Sequence, residues 1–119
     1  MIQLGMITLD TEDPRPLAAW WAERLGGEIA YDADGWFCMV RAPELPVALG
    51  FQKVEAPTPG KNRMHLDLNR TADVDRDALV AEWTAAGAEH LGLRGEEGFS
   101  WDVFTDPAGN EFCIGDPHE

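Results

Sequence analysis

Several things are scarce in this chain, and each scarcity excludes something. Only 9 of its 119 residues are Lys or Arg, against 22 Asp or Glu, so the formal net charge is −13. Nucleic acids and anionic membranes are recognised through Lys/Arg-rich surfaces, and the deficit argues against both as partners. The excess acid reads as a solvated surface, with a cationic ligand or partner as the alternative. Cysteine is limited to Cys38 and Cys113, far apart and without CxxC spacing. That excludes a zinc ribbon or thioredoxin-type motif and leaves two unpaired, buried thiols, as expected in the cytoplasm. No apolar run approaches the ~20 residues of a membrane span. Asp10, Glu12 and Asp13 arrive too early for the basic and apolar regions of a secretion signal. A soluble cytoplasmic chain is the expectation. A Ser/His/Asp set, a phosphate-cradling Gly-rich loop and a nucleotide fingerprint are also missing, since Gly26-Gly27 lacks GxGxxG spacing.

What is present suits one domain with a proper core: the apolar share is 45%. Residues 2–9 alternate as a strand. Asp13 and Pro14 then read as the N-cap and first position of a helix carrying Leu17, Ala18, Trp21 and Leu25 at helical spacing, stopped by Gly26-Gly27. Residues 28–32 and 36–41 read as strands joined by the Ala33-Asp34-Gly35 turn, and residues 47–54 as a fourth strand. A Pro/Gly linker, 56–62, separates this from a second series. Residues 64–69 are a strand, Asp73 or Asp75 caps a helix with Leu79, Trp83 and Ala86, and Gly87 ends it. Residues 89–93, an acidic turn at 94–98, and strands at 100–105 and 111–114 close the chain. Asp106-Pro107-Ala108-Gly109-Asn110 is the last turn, with Pro107 presetting φ and Gly109 or Asn110 accepting φ > 0.

The two halves repeat. Leu17 and Leu79, like Trp21 and Trp83, are 62 residues apart; Gly26 and Gly87, like Glu28 and Glu89, are 61 apart; Pro43 and Pro107 are 64 apart. This is a duplicated βαβββ module, module one spanning 1–55 and module two 63–119, too long a period and too few copies for a solenoid. Trp21 and Trp83 read as core residues.

Four blocks in order carry a resemblance. They are Asp13-Pro14 with Leu17, Ala18, Trp21 and Leu25-Gly26; Phe51-Gln52-Lys53-Val54; Asn62 through Leu68; and Asp106 through Cys113. Together the blocks resemble the vicinal-oxygen-chelate superfamily of glyoxalase I, extradiol dioxygenases, fosfomycin-resistance enzymes and bleomycin-resistance proteins. Within it they are most similar to the short glyoxalase-like domains of high-GC bacteria. The resemblance implies an α+β fold, two βαβββ modules whose curved sheets form one cleft. It also implies a divalent ion on four inward strand positions, two per module. Counted onto this chain, those positions are Met6, Leu49 to within one or two residues, His65 and Cys113, with Glu111, Gln3 or Gln52 as substitutes after a register slip. One good ligand of four is a poor set for a hard or borderline ion. A zinc held by His65, Cys113 and Gln52 is a thinner alternative.

The expected function is therefore a small-molecule binder without the family metal, taking a hydrophobic or drug-like metabolite. Its cleft would be lined by Met6, Trp36, Gln52, His65, Trp101, Glu111 and Cys113, with Asp67 sharing the strand face of His65. The alternative is a lyase, isomerase or dioxygenase of the same superfamily, metal-dependent or using His65 as acid or base. Glu111 reads as a pocket carboxylate or as the partner of a base such as Arg63, and Gln52 as a ligand contact or an exposed edge residue. His90 and His118 have no such placement. The opposite strand face, Met64, Leu66 and Leu68, is expected to pack on Leu79 and Trp83. A homodimer is expected, because sheets this short leave edges uncovered and relatives commonly pair.

Overall fold

The structure, a computed structural model, describes residues 1–117; His118 lies outside them. The elements are β1 (Met6–Thr11), α1 (Pro14–Arg24), β2 (Glu28–Asp32), β3 (Phe37–Arg41), β4 (Ala48–Lys53), β5 (Leu66–Asn69), α2 (Arg76–Ala86), β6 (Glu89–Glu96), β7 (Phe99–Thr105) and β8 (Glu111–Gly115). They form two compact units, Met1–Pro59 and Gly60–Glu119. Each is a βαβββ module, as the repeat predicts, and the fold is α+β. No helix among the described residues is long and apolar enough to cross a membrane.

In the first unit the strand order is β1-β4-β3-β2, with β1 parallel to β4 and the other pairs antiparallel. Side chains alternate across a strand, so Cys38 and Val40 of β3 and Leu49 and Phe51 of β4 share one face, all at most 2% exposed. Against that face α1 buries Leu17, Ala18 and Trp21, at i, i+1 and i+4. Asp13 is the N-cap, but its carboxylate makes no capping bond; Thr11 Oγ1 accepts from the Asp13 amide instead, at 3.3 Å. Asp34 (φ 51°) and Gly35 (φ 77°) both occupy the left-handed region, which makes the β2–β3 connection a tight turn matched to strand twist.

The second unit repeats the plan, β5-β8-β7-β6 with β5 parallel to β8. Its core is aromatic. Trp83 of α2 packs on Phe112 (5.6 Å between centroids) and Phe104 (6.3 Å), which stack on each other at 5.5 Å. Asp75, not Asp73, caps α2, accepting from the Ala78 amide at 2.9 Å. The last turn works as its composition suggests. Asp106 is 3% exposed and accepts from the amides of Ala108 (2.9 Å) and Asn110 (3.0 Å), holding the turn from inside.

The duplication is exact enough to place a β-bulge at the same point in both units, between Ile29 and Tyr31 and between His90 and Gly92. Register therefore gives a sharper alignment than residue spacing. Thr8 pairs with Gly50 as Asp67 pairs with Cys113, and Met39 pairs with Gly50 as Val103 pairs with Cys113. The counterpart of Cys113 is thus Gly50. Leu49, the expected position, lies on the helix side and is 2% exposed.

Other boundaries also move. β1 begins at Met6, not Ile2, and β5 at Leu66, so His65 precedes its strand and Met64 is 82% exposed, not packed on a helix. β6 continues to Glu96, and the connection shrinks to Glu97-Gly98. Residue 94, expected in a turn, is therefore a strand residue paired with Trp101.

Candidate functional site

The face of the second sheet opposite α2 forms an open pocket of about 660 Å³. Parity and register build it in rows. Asp67, Cys113 and Val103 lie side by side, and Gly115, Trp101 and Arg94 form the next row. Phe99 leans on Trp101, with 6.1 Å between their rings, and a Cβ at residue 115 would meet the Phe99 ring at 3.1 Å. Glycine at 115 is what lets that ring lie across the strand.

His65, Asp67 and Cys113 converge at one end, with their donor atoms all within 4.8 Å of one another. His65 Nδ1 lies 3.0 Å from Asp67 Oδ1. Burial raises the Cys113 thiol above its ordinary value, and the nearby Asp67 carboxylate, which accepts its hydrogen bond, raises it further. The sulfur is therefore protonated at neutral pH and is a poor nucleophile. Lys61 Nζ stands 3.7 Å from Glu111 Oε1, so the base beside Glu111 is Lys61, not Arg63. Asn62 holds this corner together. Its amide donates to the carbonyls of Met64 (2.6 Å) and Glu111 (3.0 Å) and accepts from the Glu111 amide at 2.8 Å. One side chain thus substitutes for a strand, tying residues 61–65 to the start of β8.

Five of the residues expected in the site, His65, Asp67, Trp101, Glu111 and Cys113, line this pocket. Met6, Trp36 and Gln52 belong to the first unit. Trp36 is 60% exposed in the β2–β3 turn with Lys53 Nζ 4.9 Å over its ring, and the Gln52 amide donates to the carbonyls of Trp36 (3.1 Å) and Lys53 (3.3 Å). Those bonds satisfy Gln52 within its own hairpin. Lys61, Leu91, Arg94 and Phe99 also line the pocket and were not foreseen. The signal for Phe99 was available in its parity with Trp101.

The family ion can be tested against these residues. In the first unit its two positions are Met6 and Gly50, a thioether and no side chain. The space over Gly50 is already crowded, since a Cβ there would lie 2.7 Å from Thr8 Oγ1, 2.9 Å from Met6 Sδ and 2.9 Å from Phe37 Cζ. In the second unit they are His65 and Cys113, one imidazole and one thiol. A hard or borderline divalent ion needs more oxygen or imidazole donors than this, and the residues do not fit it. The purified protein is expected to carry no stoichiometric divalent metal. Elemental analysis giving about one Zn, Ni, Mn or Fe per chain, lost in His65→Ala, would contradict this.

Residues 6–115 match the glyoxalase-like domain family, and the chain belongs to that family. No curated protein sequence matches it. Among solved structures it is similar to a glyoxalase/bleomycin resistance protein/dioxygenase family enzyme from Burkholderia phytofirmans PsJN, at 20% identity and TM-score 0.81, covering 98% of this chain and 100% of that one. A genomically encoded fosfomycin resistance protein from Listeria monocytogenes aligns at 14% identity and TM-score 0.79, over 99% and 95% of the two chains. A lactoylglutathione lyase from Agrobacterium tumefaciens aligns at 15% identity and TM-score 0.72, over 98% and 94%. At these identities the likeness establishes the shared fold alone.

Proposed function

We propose that the chain binds a small, largely apolar molecule on the open face of the second unit's sheet, without a resident metal. The observation that carries this reading is the pocket itself. Its volume of about 660 Å³ falls within the range of ligand sites, and it joins an aromatic and aliphatic floor to a few placed polar groups. Trp101, Phe99 and Val103 would take the apolar body of the ligand, and the His65–Asp67 and Lys61–Glu111 pairs would orient it. A neutral, environment-sensitive dye tests this. N-phenyl-1-naphthylamine should bind saturably to protein treated with EDTA, and absence of binding would sink the reading.

A second reading has its own support. The 3.0 Å contact of Asp67 with His65 Nδ1 would hold the imidazole in one orientation, as an acid or base requires. On this reading the chain is a metal-free lyase or isomerase that uses His65 as its acid or base. A compound converted by the wild type but only bound by His65→Asn would support it; equal conversion by both would reject it. We also infer a homodimer, since the edge strand β2 is exposed throughout and β6 over most of its length. Light scattering should give the mass of a dimer at micromolar concentration, and a monomer mass would contradict this.

A further inference from the structure

We propose that the ligand of this pocket is an organic anion, whose acidic group is received by Arg94 while its apolar body lies along Trp101. The inference rests on the binding reading above and names the ligand's chemical class.

The charged groups lining the pocket are otherwise matched. Lys61 faces Glu111 at 3.7 Å, and Asp67 faces His65 at 3.0 Å. Arg94 is the exception: among the described residues it has no carboxylate within ion-pair distance, and its one hydrogen bond is to the neighbouring Leu93 carbonyl at 3.2 Å. An arginine left unmatched on a pocket wall retains most of its five donors for a ligand.

The backbone also seats this side chain. Gly92 sits at the β-bulge with φ 137°, and a Cβ there would lie 2.5 Å from Arg94 Nη1. The guanidinium lies against the strand where glycine leaves it room. Arg94 is also the direct cross-strand partner of Trp101, so an anion on the guanidinium places whatever is attached to it over the indole. Carboxylates, sulfonates and phosphonates would all satisfy this geometry, because each offers two coplanar or near-coplanar oxygens to the planar donor fork.

The test compares two dyes with one skeleton. 8-Anilinonaphthalene-1-sulfonate carries the acid; N-phenyl-1-naphthylamine lacks it. In Arg94→Gln the affinity for the sulfonate should fall about tenfold, a charge-assisted bond discounted for the exposure of the side chain. The neutral dye should change by less than about twofold, and Arg94→Lys should recover part of the loss. Equal losses for both dyes, or no loss for either, would overturn the inference and leave the pocket reading standing. Failure of the neutral dye to bind the wild type would instead reject the pocket reading, and the anion assignment with it.

Discussion

Replacing Asp102 with alanine should lower the unfolding free energy by about 3 kcal/mol, read from urea midpoints. Asp102 lies on the helix side of β7 with only 3% of its side chain exposed. Its oxygens accept from Arg76 Nε at 2.9 Å, Arg76 Nη2 at 2.7 Å and His90 Nε2 at 2.8 Å. The pair joins the first turn of α2 to the sheet, and the His90 ring lies on Phe104, 5.0 Å away. Removing one partner of a buried pair is costly because the other keeps its charge. The cost falls at the lower end of the ~3–5 kcal/mol such losses carry, since the Arg76 side chain is 33% exposed and can be rehydrated.

The pH dependence follows with a definite sign. Burial pushes the Asp102 carboxyl up, but the hydrogen bonds from Arg76 and His90 outweigh it and hold the group below its ordinary value. A depressed folded value means the stabilisation is fully present above the unfolded value, near 3.9, and is lost as pH falls through the lower folded one. The wild type should therefore lose its advantage over Asp102→Ala in acid. An advantage absent at pH 7, or one that grows as the pH falls below about 4, would show that the pair does not stabilise the second unit.

Trp101→Ala should weaken N-phenyl-1-naphthylamine binding by about 30-fold or more. A large aromatic at the centre of a binding face typically carries about 2 kcal/mol or more of the affinity. Trp101 is half-buried, pairs with Arg94 on one side and Gly115 on the other, and supports Phe99. Its loss would remove the floor and the neighbour that positions Phe99. A variant that still folds and binds the dye as tightly as the wild type would place the site elsewhere.

Much of the fold was legible because it depends on local signals. Helix stops, caps and the Asp106 turn are each specified by a few adjacent residues, and duplicated tryptophans made the repeat visible. The candidate site was legible where strand parity sufficed, as for His65 with Asp67 and Glu111 with Cys113. It failed where connections set the register. The β1 and β5 counterparts Thr8 and Asp67 are 59 residues apart, while Gly50 and Cys113 are 63 apart. Loops of unequal length absorb the difference, and only hydrogen-bonded pairing reveals it, which is why residue spacing points to Leu49 and pairing to Gly50. Arg94 was missed for a related reason. Glycines at 92, 95 and 98 among charged residues look like a loop, yet Gly92 serves a bulge and Gly98, at φ 86°, a tight turn. Pairing with β7 overrides the weak strand propensity of that stretch.

The central claim is that the second unit's open sheet face is a metal-free ligand site, and amide shift mapping tests it most directly. Isotope-labelled, EDTA-treated protein would be titrated with N-phenyl-1-naphthylamine. The largest saturable shifts should fall on Asp67, Trp101, Val103 and Cys113 and their strand neighbours. Shifts confined to residues 1–59, or none until a divalent metal is added, would contradict it.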